Sequence, residues 1–385
     1  MSRFSFLLRL VVMVAAAHVY VGWRLLPDLA LSGAQQWAGV AALALSCILM
    51  PVSLVIRPLA ARTWADWLAG LGLVAMGLFS FLFVLTLLRD VVLAAVLTAG
   101  GLASAALPLG ALKTGSALAV LVLALGATLA GAYNARRLAR VVRVDIPIDG
   151  LPAGLHGFTI AQLTDIHVGP TIKQGYVAHI VQAVNALRPD LIAITGDVVD
   201  GPVAQLAPHT RPLGQLAARH GVYLVTGNHE YYSGADRWVA EFRRLGLRVL
   251  MNEHVVLRHG NAPLVVAGVT DYSAGAFDPA QASNPAAAVA GAPAGAISVL
   301  LAHQPRSATA AAAAGYRLQI SGHTHGGQFV PWNFFVRFQQ PYTAGLHRLR
   351  DLWVYTSRGT GYWGPPLRLG APSEIALLRL VPRHP

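Results

Sequence analysis

The chain has 385 residues, of which 55% are hydrophobic and 12% charged, and its formal net charge is +12. This composition is too apolar for an ordinary soluble enzyme. The single cysteine, Cys47, excludes an internal disulfide and a zinc site built from cysteines. The positive charge could favour binding to nucleic acid, to an anionic membrane surface or to an anionic substrate. No nucleic-acid partner is expected, because no Lys/Arg block interleaved with aromatic residues is present.

The apolar residues are concentrated in residues 1–135, which we predict to be a transmembrane region. A helix needs about 20 apolar residues to span the hydrocarbon core of a bilayer. Three stretches meet this requirement: Leu7–Leu26, Trp37–Ile56 and Leu68–Leu88. Ser116–Tyr133 is slightly short but dense in Leu, Val and Ala, and we count it as the fourth. A fifth, Val91–Gly110, is interrupted by two glycines and a proline. This stretch could be a fifth span or a re-entrant piece, and we expect four spans in total.

Arginines flank the predicted spans and indicate their orientation. They flank the start of the first span, follow the second and follow the fourth, at Arg3, Arg9, Arg57, Arg62, Arg136, Arg137, Arg140 and Arg143. Four spans with the N-terminus inside put all of them on the cytoplasmic side, where basic loop residues are enriched. We therefore expect a multi-pass membrane protein with a cytoplasmic soluble domain. Residues 136–150 are predicted to be a basic linker at the headgroups, and residues 151–385 the soluble domain.

Beyond the linker, short β-rich runs alternate with helical stretches, which is typical of a layered α/β fold. The predicted strands are Phe158–Thr164, Leu191–Thr195, Val222–Thr226, Val255–Arg258, Leu264–Gly268, Val299–Ala302, Leu318–Ser321, Leu352–Thr356 and Ile375–Leu380. The predicted helices are Tyr176–Leu187, Leu213–Arg219, Arg237–Leu245 and Ala308–Ala314.

Five of these strands are followed directly by Asp, Asn or His. The residues are Asp165-Ile166-His167, Gly196-Asp197-Val198-Val199-Asp200, Gly227-Asn228-His229-Glu230, His303 and Gly322-His323-Thr324-His325. Each alone could be a turn or core residue. Together they predict a metal site, because α/β sheets place their sites at the carboxyl ends of strands and buried polar groups are costly.

The type and number of these side chains indicate which metals they would bind. Oxygen and nitrogen ligands without thiolates suit Mn, Fe, Co or Zn. The ligands are too many for one tetrahedral ion and about right for two ions that share a bridging carboxylate. In an extended chain, the spacing of His323 and His325 directs both rings to the same side.

The five motifs, in this order, resemble those of the calcineurin-like metallophosphoesterases. The resemblance covers roughly Leu155–Leu380. The Gly-Gln ending of Gly322–Gln328, the setting Ala302–Pro305 and the tail Ser357–Gly361 are similar to the bacterial membrane-anchored branch. The resemblance implies a four-layer αββα sandwich that hydrolyses phosphate mono- or diesters, with a hydroxide bridging two ions as the nucleophile.

The resemblance also implies a role for each residue. Asp165, His167 and His325 would hold the first metal, and Asn228, His303 and His323 the second. Asp197 would bridge both ions. His229 would act near the leaving-group oxygen as general acid or transition-state stabiliser, with Asp200 and Glu230 supporting their neighbours.

Two features outside the motifs leave alternatives open. Arg358, flanked by glycine, could contact a substrate phosphate or brace a loop. The aromatic residues Trp332, Phe334, Phe335 and Trp363 could form an apolar rim near the site or the membrane, or be ordinary packing.

An anchored active site with basic flanks suggests a lipid-linked or nucleotide-linked substrate. The alternative function is a non-catalytic membrane protein that uses the phosphoesterase-like domain to bind a partner or a phospholipid headgroup.

Overall fold

The computed structural model describes residues 3–59, 63–103 and 107–383. It divides into two compact units, one of Met1–Tyr133 with Gly364–Leu367 and one of Asn134–Trp363 with Arg368–Pro385. The helices of the first unit are α1 (Arg3–Leu25), α2 (Gly33–Leu59), α3 (Thr63–Leu102) and α4 (Leu109–Arg136). In the described part of the chain, four helices are long and apolar enough to cross a membrane, which agrees with the four expected spans.

Helix α3 differs from the sequence prediction because it is continuous over 40 residues. It contains the third predicted span and also residues 91–102, so Val91–Gly110 is not a separate span. At 1.5 Å per residue it is about 60 Å long, twice the thickness of a hydrocarbon core. As a result, Arg89 and Asp90 lie inside a candidate span rather than between two spans.

These two charged residues belong to a group that we call the arginine cluster, formed by Arg24, Asp28, Arg89 and Asp90. Arg89, whose side chain is 2% exposed, donates to Asp28 and to main-chain carbonyls. Arg24 donates to both oxygens of Asp90 at 2.8 Å. Each guanidinium therefore has its own carboxylate, as charged side chains within membrane helices usually do.

The second unit contains two six-stranded sheets. The strands are β1 (Arg140–Ile148), β2 (Thr159–Leu163), β3 (Leu191–Ile194), β4 (Val222–Leu224), β5 (Arg248–Val249), β6 (Glu253–His259), β7 (Ala262–Gly268), β8 (Ile297–Leu301), β9 (Leu318–Ser321), β10 (Gly345–Leu349), β11 (Leu352–Thr356) and β12 (Glu374–Pro382). The helices are α5 (Gln174–Ala186), α6 (Val203–Thr210), α7 (Asn228–Ser233), α8 (Ala235–Arg244), α9 (Pro285–Val289) and α10 (Ala308–Ala313).

The strand order is β1-β12-β2-β3-β4-β5 in the first sheet and β10-β11-β9-β8-β7-β6 in the second. Strands β2 to β5 run parallel, and so do β7, β8, β9 and β11. The carboxyl ends of parallel strands meet at one edge of a sheet. The two edges also meet each other, because Gln162 of the first sheet donates to the carbonyl of Ser321 in the second at 2.8 Å.

Side-chain alternation along the strands builds the layers. In β3, Leu191 and Ala193 pack between the two sheets, while Ile192 and Ile194 pack against the helices. Helices α5, α6 and α8 cover the first sheet, for example through Trp238, and α9 and α10 cover the second. This four-layer αββα arrangement confirms the predicted fold class.

Two predicted segments differ in the structure. Residues 136–150 were expected to be a linker, but Arg140–Ile148 form β1, which pairs in parallel with β12. Its Val and Ile residues favour a strand once β12 supplies the partner. Leu213–Arg219 were expected to be helical, but only a 3₁₀ turn, Arg211–Gln215, forms there. Pro212 and Gly214 both disfavour a longer helix.

Candidate metal centre

The strand ends bring the predicted ligands together in one buried place. Three groups of side chains have their donor atoms within 4.8 Å of one another: Asp165, His167 and His325; His167, Asp197 and His229; and Asp197, His303 and His323. The groups share His167 or Asp197, so they form one continuous set. Asn228 adjoins this set, since it follows Gly227, whose Cα packs against Asp197.

The first half of the centre is formed by Asp165, His167 and His325. The Nε2 atoms of the two histidines are 3.0 Å apart, and Nε2 of His325 is 3.4 Å from Oδ1 of Asp165. Nδ1 of His167 donates to Asp200 Oδ1 at 2.9 Å. In a neutral ring this leaves the lone pair on Nε2, the atom that faces the other two ligands.

The second half is formed by Asp197, His303 and His323, and Asn228, which was expected to join it, begins the adjoining helix α7. Nδ1 of His303 donates to the carbonyl of Thr195 at 2.7 Å, so its Nε2 is the nitrogen that faces the other side chains of the centre. That Nε2 lies 3.1 Å from Asp197 Oδ2 and 3.2 Å from His323 Nδ1. Asp197 Oδ2 is also 3.8 Å from His167 Nε2, which puts this carboxylate between the two halves.

Asn228 tests whether this donor set fits a metal ion. Its Oδ1 is buried and has no hydrogen-bond partner among the described residues. A buried acceptor without a partner costs about 1–3 kcal/mol. An oxygen of this kind, next to a carboxylate and imidazoles, fits a divalent cation.

The backbone at the ligands is unusual. Nine described residues other than glycine have positive φ, and five of them are predicted ligands: Asp165 (53°), His167 (55°), Asp197 (52°), His323 (71°) and His325 (51°). This conformation costs about 1–3 kcal/mol per residue and is concentrated at functional sites. The ligands therefore reach the centre from tight left-handed turns.

The sequence analysis expected the rings of His323 and His325 to point to the same side because it assumed an extended chain, and the structure corrects this assumption. Thr324 is helical and His325 left-handed, so the loop is not extended. The two rings face different groups, His323 towards His303 and His325 towards His167.

Two further carboxylates hold the loops in place. Asp200 Oδ1 accepts from Nδ1 of His167 at 2.9 Å and from Nδ1 of His229 at 2.6 Å. Glu230 accepts from the main-chain N–H groups of Asp197 (2.9 Å), Val198 (2.8 Å) and Gly227 (2.7 Å). Asp200 thus orients two imidazoles, and Glu230 ties the loop after β3 to the loop after β4.

Burial and charge set the protonation states in this centre. Burial, together with the His303 charge, lowers the pKa of His323 to about 3. Burial and the Arg368 charge hold the pKa of His325 well below its ordinary value. Burial also lowers the pKa of His229, but Asp197 and Asp200 outweigh it and raise that pKa to about 9. His323 and His325 are therefore neutral, and His229 carries a proton. Burial lowers the pKa of His303 as well, but Asp197 outweighs it and holds that pKa well above its ordinary value, so a metal ion bound there would displace a proton.

The sequence analysis missed two buried residues beside the ligands. Asp271 follows β7 and accepts from Gln304 at 3.1 Å with both of its oxygens. It could have been found as one more carboxylate after a strand. Arg368, in a loop without any motif, donates to the carbonyl and to Nδ1 of His325 at 2.9 and 3.0 Å.

The contact with Arg368 determines which nitrogen of the neutral His325 ring carries the proton. Because a guanidinium only donates, Nδ1 of His325 accepts, and the neutral ring carries its proton on Nε2. Nε2 is the atom that faces His167, at 3.0 Å, so a metal ion held there would have to displace this proton.

The remaining predicted residues lie around the centre. Arg358, about one-third exposed, donates through Nη1 to Glu374 at 3.0 Å. The rings of Tyr232 and Trp363 lie 5.2 and 5.7 Å from that of His229. Trp332, Phe334, Phe335 and Trp363 are exposed rather than packed in the core.

A buried, thiolate-free set of carboxylates, an amide and imidazoles at the carboxyl edge of a layered α/β domain is typical of metal-dependent hydrolases. A family model described as calcineurin-like phosphoesterase matches residues 158–327. The chain is 34% identical over 276 residues to a "Transmembrane protein with metallophosphoesterase domain" of Danio rerio, which covers 66% of this chain and 61% of that protein.

Two bacterial proteins are also similar. An "Uncharacterized metallophosphoesterase" of Helicobacter pylori is 35% identical over 266 residues, covering 66% of this chain and 67% of that protein. Another, of Aquifex aeolicus, is 30% identical over 259 residues, covering 66% of this chain and 97% of that protein. The chain therefore belongs to the metallophosphoesterase family, which confirms the resemblance seen in the sequence. It spans 61% and 62% of the length of its Danio rerio and Bos taurus relatives.

Proposed function

We propose that this chain is a membrane-anchored phosphoesterase that holds two divalent metal ions, Mn, Fe, Zn or Co, and hydrolyses phosphate mono- or diesters. The observation that carries the proposal is the pair of donor groups on either side of Asp197, together with the unpartnered oxygen of Asn228. In this proposal Asp165, His167 and His325 hold one ion. Asn228, His303 and His323 hold the other, and Asp197 contacts both.

Bound ions would supply Lewis acidity towards the phosphoryl group. The chain's own residues supply the proton and the alignment. Asp200 accepts from Nδ1 of His229, so the other N–H of that protonated ring, on Nε2, is directed into the centre, 3.9 Å from Asp197 Oδ2. His229 is therefore the group that donates a proton to the departing oxygen.

The surroundings of His229 support a substrate with an apolar or planar leaving group, such as a lipid-linked or nucleotide-linked ester. Exposed rings of Tyr232 and Trp363 flank this histidine. We also propose that Arg358 contacts the substrate phosphate through the guanidinium nitrogens other than the one that donates to Glu374. Replacement of Arg358 by Gln should then raise KM more than it lowers kcat.

Metal analysis and hydrolysis by the full chain in lipid nanodiscs test the proposal. Aryl phosphate monoesters, diesters and lipid-linked esters are assayed with Mn, Fe, Co, Zn and Mg. We expect close to two ions per chain and metal-dependent hydrolysis of at least one ester class. His323→Ala and His325→Ala should each leave about one ion. A protein that is inert with every metal but still binds phospholipid would favour the non-catalytic alternative.

We also propose that the phosphoesterase domain faces the cytoplasm of a bacterium, as the flanking arginines indicate. The single cysteine allows a clean test in a Cys47→Ser background. Ala286 is exposed on the phosphoesterase domain, and Ala286→Cys should react with a membrane-impermeant maleimide only after cells are permeabilised. Labelling in intact cells would contradict the orientation.

A further inference from the structure

The segment that follows the candidate metal ligands presents large apolar side chains to solvent. We call residues 329–340 the aromatic loop. Within it, Trp332 is 43% exposed, Phe334 57%, Phe335 54% and Phe338 74%. Soluble proteins rarely expose a group of aromatic side chains in this way unless those side chains contact a partner, a ligand or a membrane.

The aromatic loop is fixed to the metal centre at both ends. At its start, the side chain of Gln328 accepts from and donates to the main chain of Trp363, at 2.9 and 2.8 Å. At its end, buried Gln340 donates to Gln304, the neighbour of His303, at 3.2 Å. The loop is therefore held on the same turns that carry the ligands.

The loop's own backbone is also hydrogen-bonded. Phe335 N–H donates to the carbonyl of Trp332 at 2.9 Å, and Phe338 N–H to that of Phe335 at 3.0 Å. The exposed rings are thus displayed by successive tight turns rather than by a segment without internal bonds.

Along the sequence, the loop and its flanks carry charge of one sign. The sequence contains no Asp or Glu between Asp278 and Asp351. The guanidinium of Arg337 lies 5.2 Å from the ring centroid of Phe338, and Arg306 donates to the carbonyl of Gln339. Aromatic rings combined with arginine, without acidic residues, are typical of surfaces that enter the headgroup region of anionic membranes.

We infer that the aromatic loop docks into the headgroup region of an anionic lipid bilayer, beside the metal centre. A bilayer is the occupant that the chain favours, because four of its helices can cross a membrane and so tether this domain to one. A second copy of the loop would bring arginines together and be repelled. This inference rests on the proposed function, because it implies that the phosphoesterase takes its substrate from the membrane plane.

The single cysteine again provides the test. In a Cys47→Ser background, Phe335→Cys and, separately, Phe338→Cys are labelled with an environment-sensitive fluorophore. Val256→Cys, an exposed apolar position on β6 outside the loop, is the matched control. Each full-length protein is placed at one copy per nanodisc, in phosphatidylglycerol-containing or phosphatidylcholine-only lipid, with and without nitroxide-labelled lipid.

We expect a blue shift of emission and quenching by nitroxide lipid at positions 335 and 338, stronger with the anionic lipid, and neither effect at position 256. Water-like emission at both loop positions would overturn the inference, and so would a blue shift without nitroxide quenching, which indicates contact with protein. Hydrolysis of aryl monoesters, aryl diesters and lipid-linked esters, with Mn, Fe, Co, Zn and Mg in turn, is measured on the unlabelled Cys47→Ser protein. Quenching without hydrolysis contradicts the proposed function, and hydrolysis without quenching contradicts only the docking.

Discussion

The chain buries charged groups in two places, and the two places differ in whether those groups have partners of opposite charge within the protein. In the arginine cluster, Arg89 is paired with Asp28, and Arg24 with Asp90. In the candidate metal centre, imidazole nitrogens and carboxylate oxygens face one another, and the oxygen of Asn228 has no partner among the described residues. A buried polar group left without a partner of opposite character is costly unless a ligand supplies one. We therefore expect the first cluster to be satisfied within the protein and the second to take a ligand.

Asp197→Asn should have the largest effect on hydrolysis, because it removes the carboxylate between the two halves. We expect a loss greater than the about 10²–10⁴-fold that a general acid contributes, together with loss of bound metal. Turnover and metal content per chain are measured together. Asp351→Asn, at a side chain that is 74% exposed, is the control and should change neither. Full activity in Asp197→Asn would show that the centre is not catalytic.

His229→Ala should have the next largest effect and should spare the metal. If this ring donates the proton to the leaving oxygen, kcat falls by about 10²–10⁴-fold for an ester with a poor leaving group. The loss should be much smaller for a nitrophenyl ester, whose leaving group needs no proton. His179→Ala, at an exposed position of α5, is the control. An equal loss for good and poor leaving groups would contradict the assignment.

Asp200→Asn should lower activity by about 10–100-fold, as expected when a residue that orients a metal ligand is changed. In the metal-free protein the same change should lower the pKa of His229, which Asp197 and Asp200 together raise to about 9. A raised histidine pKa stabilises the fold below pH 6.5, and that contribution is lost as pH rises towards about 9.

The decline in unfolding free energy between those pH values should therefore be smaller in Asp200→Asn than in the parent. NMR titration of the metal-free ring and denaturation at several pH values check this. An unchanged pKa for His229 would show that the Asp200 contact does not determine it.

Asp28→Asn should have the smallest effect on hydrolysis, because the arginine cluster is expected to bind nothing. It leaves Arg89, whose side chain is 2% exposed, without its carboxylate. Breaking a buried pair costs about 3 kcal/mol of unfolding free energy, and less here because Asp28 is partly exposed. The double variant Asp28→Leu/Arg89→Met should recover much of the loss. Thermal unfolding in nanodiscs measures the cost, and a change in metal content would contradict the comparison.

Much of the architecture could be predicted from the sequence because its signals are local. A run of about 20 apolar residues marks a membrane span wherever it lies. Strand-length apolar runs that end in Asp165, Asp197, Asn228, His303 or His323 placed the candidate site at the carboxyl ends of strands, because parallel strands bring those ends together. The length of α3 was missed because Arg89 and Asp90 separate two apolar runs, and the helix continues through both residues.

The rest depended on contacts between residues far apart in the chain. Strand β1 forms because β12, more than 200 residues later, pairs with it, and no pattern in residues 136–150 indicates that partner. Arg368 reaches His325 from a loop without a motif. The sharing of Asp200 by His167 and His229, and the left-handed turns at five ligands, likewise follow from packing around the site.

The sequence by itself thus determined the membrane anchor, the layered α/β class and the residue types of the metal centre, because apolar run length and strand-end side chains are local properties. Only the tertiary structure decided which imidazole nitrogen faces which carboxylate, which buried charges are already paired and which aromatic side chains remain exposed. Those properties depend on distances between segments, which a local pattern does not contain.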